Sequence, residues 1–411
     1  MTAITACRGC GSSELKQFLD LGETPLADAI VTADVVNDPA SEERFPLAVA
    51  FCPVCALVQI TEDVEPEKLF VDNYLYFSSF SDHLLQHSRD HALGLIERQG
   101  LGADSLVVEL ASNDGYLLKN FVDAGVPAVG FDPAPDQAAA ARELGIDHRE
   151  EFFGLDAATR LRDERQPADV IIANNVMAHI PDPNDFVAGM AHLLADDGVI
   201  TVENPSVWDL VERCAFDTIY HEHFFYHSCL SVKALAERHG LFLNHVEYFA
   251  DLHGGTNRWY LGKRDEPTDH VLARIAAERE AGLDGFEFYG DFGSKVDALR
   301  AGLLDILRTM KSEGKRVVAY GAAAKGATML NATGIDTDLV EYVVDRNTHK
   351  HGRFMPGTHQ PIQGVEALLD DAPDAVLILA WNFAAEIMAQ QAEYAARGGK
   401  FIVPVPTPEI V

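Results

Sequence analysis

Ser105-Leu106-Val107-Val108-Glu109-Leu110-Ala111-Ser112-Asn113-Asp114-Gly115-Tyr116 is the stretch whose reading decides the fold. Its first six residues are mostly apolar and β-prone, so Ser105–Leu110 is expected as a buried strand. Small and polar turn residues follow, and Tyr116–Ala124 is expected as a helix. Strand, tight turn and helix in that order make the first crossing of a parallel sheet. Such sheets bind ligands where their strands end. Working outward, Ala128–Asp132, Ala168–Asn174 and Gly198–Glu203 read as strands. Pro135–Leu144 and Pro183–Leu194 read as helices between them. Alternating β and α elements across 105–262 imply a parallel, doubly wound sheet.

The polar residues of this module gather at the strand ends. The first loop lacks G-x-G-x-x-G, so a dinucleotide pyrophosphate is a poor fit. Glu109, followed by the small-residue turn through Ala111, Asn113, Gly115 and Tyr116, suits a ligand with a charged amino-acid moiety. Asp132, with Pro133 after it, ends the second strand, where a carboxylate can accept both hydroxyls of a ribose. Asn174-Asn175 forms a third cluster at the end of the strand Ala168–Asn174.

A second β/α series follows one or two long helical stretches over 268–312. Arg316–Tyr320, Val340–Asp345, Ala375–Ala380 and Phe401–Val403 read as strands, and Ala327–Asn331, Val365–Leu369 and Ala384–Ala396 as helices. Gly321-Ala322-Ala323-Ala324-Lys325-Gly326-Ala327-Thr328 sits between a strand and a helix. Its spacing is near that of a P-loop, but Ala327 stands where the lysine is needed, which argues against nucleotide hydrolysis. Backbone amides and Lys325 can still receive a phosphate there, and a bare tight turn is the plainer alternative. Between Arg258 and Arg353 lie 15 of the 32 basic residues, a concentration that favours an anionic ligand.

The N-terminal region differs. Cys7-Arg8-Gly9-Cys10 and Cys52-Pro53-Val54-Cys55 are two C-x-x-C turns in a short-segmented, turn-punctuated stretch, with Phe45–Phe51 reading as a strand into the second. Two such turns can close a tetrahedral Cys₄ site around a structural Zn²⁺. A redox pair would want a strand before it and a helix after it. Disulfides are disfavoured where no export signal is read. Cys214 and Cys229 have no partner spacing and are expected as buried thiols. From Asp82 to about Gln99 a helical period follows.

The chain has 411 residues, 47% hydrophobic and 23% charged, enough for two or three packed domains. No window reaches the roughly 18 apolar residues of a membrane span. The N-terminus carries neither a basic nor an apolar signal region, so a cytoplasmic protein is expected. A formal charge of −32 argues against nucleic acid or an anionic membrane as partner. The expected architecture is α/β. It comprises a small zinc-binding domain (1–72), a Rossmann-like domain (73–262) and a second Rossmann-like domain (263–411).

The densest chemistry is Tyr220-His221-Glu222-His223-Phe224-Phe225-Tyr226-His227-Ser228. It follows the strand Gly198–Glu203, on the same carboxyl edge as the ligand loops. A metal site is one reading, but ligands at i and i+2 do not share a helix face, and H-E-x-x-H is absent. A merely structural polar loop is another. Acid/base chemistry suits His, Glu and Tyr at this edge best. His179, just past the strand Ala168–Asn174, faces the same edge.

The strand-end clusters together are similar to those of class I S-adenosylmethionine (SAM) methyltransferases. The whole chain resembles the SAM-dependent C-methyltransferases of deoxysugar biosynthesis. The resemblance runs through the two C-x-x-C pairs, Tyr76-Phe77-Ser78-Ser79, Glu109–Leu118 and Tyr220–Ser228. It continues through His253-Gly254-Gly255-Thr256, Tyr320–Gly326 and Trp381-Asn382-Phe383. Ala111 departs from a glycine usual in the cofactor turn, and Thr256-Asn257-Arg258 from a common Ser-Leu-Arg.

The resemblance implies C-methylation of a nucleotide-linked, TDP-type 4-keto-deoxysugar α to its ketone, by a monomer. It implies His223 as the base, and Glu222 orienting it or binding a sugar hydroxyl or amine. Tyr220, Tyr76 and His179 would serve the enolate oxygen or hold the ring. Ser79, Lys325 and Arg258 would contact the substrate. Two other readings stay open at this point: a SAM-dependent O- or N-methyltransferase, and a non-enzymatic zinc-ribbon scaffold.

Overall fold

The computed structural model describes residues 3–62, 64, 65, 69, 77–80, 82–252 and 254–411. Three sheets organise them. The N-terminal sheet begins with β1 (Lys16–Thr24), β2 (Phe45–Phe51) and β3 (Val58–Ile60), paired antiparallel. Strand β2 is buried at six of its seven positions, with Phe51 stacked on Tyr289 and Phe45 against His221.

The central sheet contains β4 (Val107–Leu110), β5 (Ala128–Phe131), β6 (Asp147–Arg149), β7 (Ala168–Asn174) and β8 (Leu194–Pro205). Strand β4 is buried along its whole length, as a strand covered on both faces must be, and it runs parallel to β5 and β7. The short strand β9 (Phe225–Tyr226) leaves this module altogether. It pairs antiparallel with β3, so the Tyr220–Ser228 stretch completes the N-terminal sheet.

Strands β10 (Phe242–Phe249) and β11 (Thr256–Gly262) then form a hairpin, and β11 inserts antiparallel beside β8. The central order is β10-β11-β8-β7-β4-β5-β6. The sheet is therefore mixed, where the alternation of elements had implied an all-parallel one. The hairpin brings its strand back without a helical crossover, which reverses its direction.

The C-terminal sheet has β12 (Val317–Tyr320), β13 (Val343–Val344), β14 (Ile362–Gln363), β15 (Ala375–Ile378), β16 (Lys400–Val403) and β17 (Glu409–Ile410). Its order is β14-β13-β12-β15-β16-β17, parallel except for the last pair. The chain direction along the sheet reverses between β12 and β15. In the central sheet it reverses between β4 and β7. These are the two switch points where such sheets open a crevice.

Helix Asp269–Glu280 packs on β10, and helix Phe292–Ser312 packs against β1, so the long helical stretch ties the layers together. Among the described residues no helix is long and apolar enough to cross a membrane.

The four cysteines of the C-x-x-C turns converge, with all Sγ atoms within 4.8 Å of one another. Cys7–Cys55 and Cys10–Cys52 sulfurs are 3.6 Å apart. Zn–S bonds of about 2.3 Å in a tetrahedron place sulfurs roughly 3.8 Å apart, so the set fits the ion. Gln59 Nε2 donates to Cys7 Sγ at 3.2 Å, the outer bond that orients a ligand. Hydrogen bonding from Cys55 pulls the Cys7 thiol down, and Cys55 is pushed far up in return. All six cysteines are free thiols, and Cys214 and Cys229 are buried, as expected.

The purified protein should carry about one Zn²⁺ per chain, bound with folding free energy. Cys52→Ser should abolish it and lower the unfolding temperature of the N-terminal region. Elemental analysis with a melting curve checks both, and metal-free native protein would refute the assignment.

Candidate active site

One cavity of about 930 Å³ lies among the three sheets and is lined from all of them. Ala111, Asn113, Tyr116, Asp132, Pro133, Asn174 and Asn175 line it from the central switch point. Ala323, Ala324, Lys325, Ala380, Asn382 and Phe383 line it from the C-terminal one. His179, Tyr220, Glu222 and His223 lie between. Lys350 and Arg353, which follow β13, add basic groups at the C-terminal end. Asp28, Ile30 and Val31 reach in from the N-terminal region.

The loop after β4 is shaped under strain. Ala111, Asn113 and Asn175 all have left-handed backbones, with φ of 55°, 49° and 53°. Non-glycine residues there each store of order 1–3 kcal/mol, and such strain collects at functional sites. Gly115, at φ 79°, admits no side chain: a Cβ would stand 2.4 Å from Ile146. The segment before helix Asp82–Gln99 is laid across this loop. Ser78 N donates to Asn113 Oδ1 at 2.9 Å, and Ser79 N to Asp114 Oδ2 at 3.2 Å.

Asp132 accepts one backbone hydrogen bond on each oxygen, from Asn113 N at 3.0 Å and Ala134 N at 2.9 Å. Each oxygen keeps a lone pair for a ligand hydroxyl. Burial pushes its carboxyl up to about 6, against those two bonds. Nearby, Asp114 Oδ1, Asn174 Oδ1 and Glu109 Oε2 are buried and meet no hydrogen-bond partner among the described residues. Burial, then the charges of Asp114 and Asp132, raise Glu109 well above the carboxylate range. Glu109 and Gly115 shape the loop from behind and do not line the cavity.

His223 is held by its own turn. Its Nδ1 stands 2.8 Å from the Thr218 carbonyl oxygen, which can only accept, so Nδ1 carries the hydrogen. In the neutral ring Nε2 is then a lone pair, and it lies 3.0 Å from Tyr220 Oη. The two rings overlap at 4.0 Å between centroids. His179 Nδ1 lies 2.7 Å from the Glu222 carbonyl oxygen, and burial lowers this imidazole to about 4, which keeps it neutral. Its ring stands edge-on to His223 at 4.7 Å.

His221 and Glu222 face the N-terminal region instead. His221 Nε2 bonds the Pro46 carbonyl oxygen at 3.0 Å, and Glu222 Oε1 accepts from Asp28 N at 3.1 Å. The Thr218 carbonyl, not Glu222, therefore orients His223. Burial and the Asp28 carboxylate raise Glu222 above its ordinary value.

Two expected substrate residues lie outside the lining. Arg258 is 5% exposed and is spent on Glu203 and Glu247, at 2.7 and 3.0 Å. Ser79 is turned to the cofactor loop through its backbone. Tyr76 and His253 lie outside the described residues. The sequence reading did not single out Asp28, Lys350 or Arg353. Lys350 and Arg353 did stand in the basic concentration between Arg258 and Arg353.

A family model described as "C-methyltransferase C-terminal domain" matches residues 251–406, one described as "Methyltransferase domain" matches 82–246, and one described as "Putative zinc binding domain" matches 7–70. The chain is 34% identical over 413 residues to the C-methyltransferase NovU of Streptomyces niveus, covering 99% of this chain and 97% of that one. The chain belongs to the C-methyltransferase family.

A ubiquinone biosynthesis O-methyltransferase of Rhodopseudomonas palustris is 25% identical over 130 residues, 29% of this chain and 49% of its own. The SAM-bound structure of magnesium protoporphyrin IX methyltransferase from Synechocystis is 11% identical over 48% of this chain and 89% of that one, with a TM-score of 0.35. This C-methyltransferase uses SAM, and the central switch point has the groups to hold it. These are the two open lone pairs of Asp132 and the orphaned acceptors around Asp114 and Asn174.

If Asp132 holds the ribose, Asp132→Ala should weaken SAM binding by about 1.5–3 kcal/mol, the worth of a charge-assisted hydrogen bond. Affinity should also fall as pH drops through about 6, because the carboxylate takes up a proton there. The slope is at most about tenfold per pH unit. Calorimetry across pH 5–8 checks both, and a pH-independent affinity equal in variant and wild type would remove Asp132 from the site.

Proposed function

We propose that this enzyme C-methylates a nucleotide-linked, TDP-type 4-keto-deoxysugar at the carbon α to its ketone, with His223 as the base. The observation that carries the reading is the His223 tautomer. A carbon becomes nucleophilic only when an α-proton is removed and the enolate is stabilised. A neutral imidazole with Nε2 unprotonated in a cavity wall is suited to take that proton. Tyr220, on the same nitrogen, can turn its O–H to the developing enolate oxygen as Nε2 engages the C–H. His179, kept neutral by burial, spends its one N–H at Nδ1 on the Glu222 carbonyl, so its Nε2 can only accept, for instance from a sugar hydroxyl. SAM, when bound at the central switch point, supplies an electrophilic methyl to the same carbon. An O-acceptor needs no base strong enough for a C–H, and exchange of the α-proton without SAM separates the two readings.

The opposite end of the cavity supports the nucleotide diphosphate. Lys325, Lys350 and Arg353 gather there beside the N-terminus of helix Ala324–Thr333. Exposed amides and basic side chains at such a terminus receive phosphate oxygens. The keto-sugar would then bridge the two switch points, with the nucleotide held by the C-terminal sheet and the ring under His223. Asp28 and Glu222 would meet its polar substituents. We further propose that the enzyme acts as a monomer in the cytoplasm; the compartment is supported by a Cys₄ set suited to zinc and by two buried thiols without a disulfide.

His223→Asn keeps the size of the ring's inner half but cannot take a proton at Nε2. It should lower kcat by about 10²–10⁴-fold, the usual worth of a general base, and leave SAM affinity nearly unchanged. It should also stop exchange of the α-proton of TDP-4-keto-6-deoxyhexoses with deuterated solvent. Exchange at the wild-type rate in this variant would place the base elsewhere, with Tyr220 or His179 next.

A further inference from the structure

Two sequence motifs have no part in the chemistry above: His253-Gly254-Gly255-Thr256 and Trp381-Asn382-Phe383. They meet at the Trp381 ring. Gly254 approaches so closely that a Cβ there would stand 3.2 Å from Trp381 Cη2. Lys325 Nζ lies over the ring, 4.7 Å from its centroid. The indole N–H donates to Asp217 Oδ2 at 2.7 Å.

Asp217 belongs to the single turn Phe216–Thr218, and it is fully buried. That turn immediately precedes Tyr220, and its last carbonyl, Thr218 O, is the acceptor for His223 Nδ1. Helix Ala324–Thr333 of the C-terminal sheet packs directly on the same turn.

We propose that Asp217 and Trp381 are positioning residues for His223: their hydrogen bond locks the Phe216–Thr218 turn, and the turn's carbonyl selects the tautomer in which Nε2 carries the lone pair. This rests on the reading of His223 as the base. The physical reason is that a lone single-turn helix has almost no stability of its own. Something outside it must hold the Thr218 carbonyl in line with the imidazole, and a small misplacement of a catalytic group costs rate steeply. The clamp comes from the C-terminal sheet, which also carries Lys325. Burial depresses the Lys325 ammonium, and the Asp217 carboxylate opposes that. The residue that lines the anion end of the cavity and the turn that holds the base thus share one buried neighbourhood.

The ring tautomer can be read without any substrate. In protein with ¹⁵N-labelled histidine, one- and two-bond couplings distinguish Nδ1–H from Nε2–H, and comparison with His223→Asn assigns the resonance. Wild type should be the Nδ1–H form. Trp381→Phe, which keeps a ring but loses the N–H, should mix the tautomers and slow α-proton exchange about 10- to 100-fold. Zinc content and SAM affinity should not change.

Asp217→Leu should do the same, while Asp217→Asn, whose Oδ1 still accepts from the indole, should restore the Nδ1–H form. An unshifted tautomer in Trp381→Phe that retains its zinc overturns the proposal, and this variant decides alone if Asp217→Leu does not fold. If wild-type protein exchanges no α-proton in any TDP-keto-sugar offered, the functional reading fails. The tautomer measurement still decides the positioning role.

Discussion

Everything in this structure converges on how residues 216–228 are held, because no single sheet could hold them. The stretch is too short and too polar to fold by itself. Phe225 and Tyr226 pair with β3 of the N-terminal sheet. His221 and Glu222 are tied to Pro46 and Asp28 of the same region. His227 bridges to Ser206 at the end of β8. Asp217 is bonded to Trp381 of the C-terminal sheet. The loop carrying Tyr220 and His223 is thereby fixed in three directions, which a polar loop on one sheet edge would not be. The four cysteines acquire a purpose beyond stability. They tie the turn between β2 and β3 to the turn that precedes β1, and β3 is the strand that receives β9. Arg8, inside the first turn, reaches the carbonyls of Ile60 and Glu62, and Asn184 of the central module bonds the carbonyls of Arg8 and Gly9.

The division within Tyr220-His221-Glu222-His223 follows from the same demand. His221 Nε2 and Glu222 Oε1 anchor the loop to the N-terminal region, while Tyr220, His223 and the remaining Glu222 oxygen stay at the cavity. An inspection for metal ligands finds His, Glu and His close in sequence, but the structure turns them in different directions. The ordering also explains why the orienting group for His223 is a backbone carbonyl. A carboxylate at Nδ1 would favour the charged imidazolium. A neutral carbonyl fixes the Nδ1–H tautomer of the neutral ring without adding a charge beside it.

Much of the fold was legible where pattern was strong. Phe45–Phe51, Asp82–Gln99 and Ala168–Asn174 appear with the ends expected of them, since each combines a continuous apolar run or a clear period with polar flanks. The strand Asp147–Arg149 was not legible: it is a three-residue edge strand of polar residues, held by its neighbour and not by its composition. The β10–β11 hairpin turned an expected parallel sheet into a mixed one. In the site, the strand-end residues were legible because a doubly wound sheet delivers its loops to one edge. Asp28 was not, because it reaches the cavity on a segment whose path depends on Val31 pairing with Phe354, far away in sequence. Arg258 misled for a related reason. Its charge pointed to a ligand, but Glu203, which is fully buried, had already claimed it.

The charge balance of the whole chain sharpens the case for a local basic end. At −32 the protein's field repels anions, and a substrate carrying two phosphates would be disfavoured at long range. Salt screens that repulsion beyond roughly 10 Å, so it weakens encounter more than it weakens contact. Under the proposed reading what must be overcome is local, and it would be met by Lys325, Lys350 and Arg353, brought to one wall by a single sheet. Lys350 is braced by the Ala322 carbonyl at 2.6 Å and stands within the influence of Asp28. Lys325 has no hydrogen-bond acceptor among the described residues and rests on Trp381. A buried ammonium without an acceptor is costly, and an incoming anionic oxygen would relieve that cost. A group that is unsatisfied until its ligand arrives contributes more to selectivity than one already paired, because an uncharged competitor leaves the cost in place.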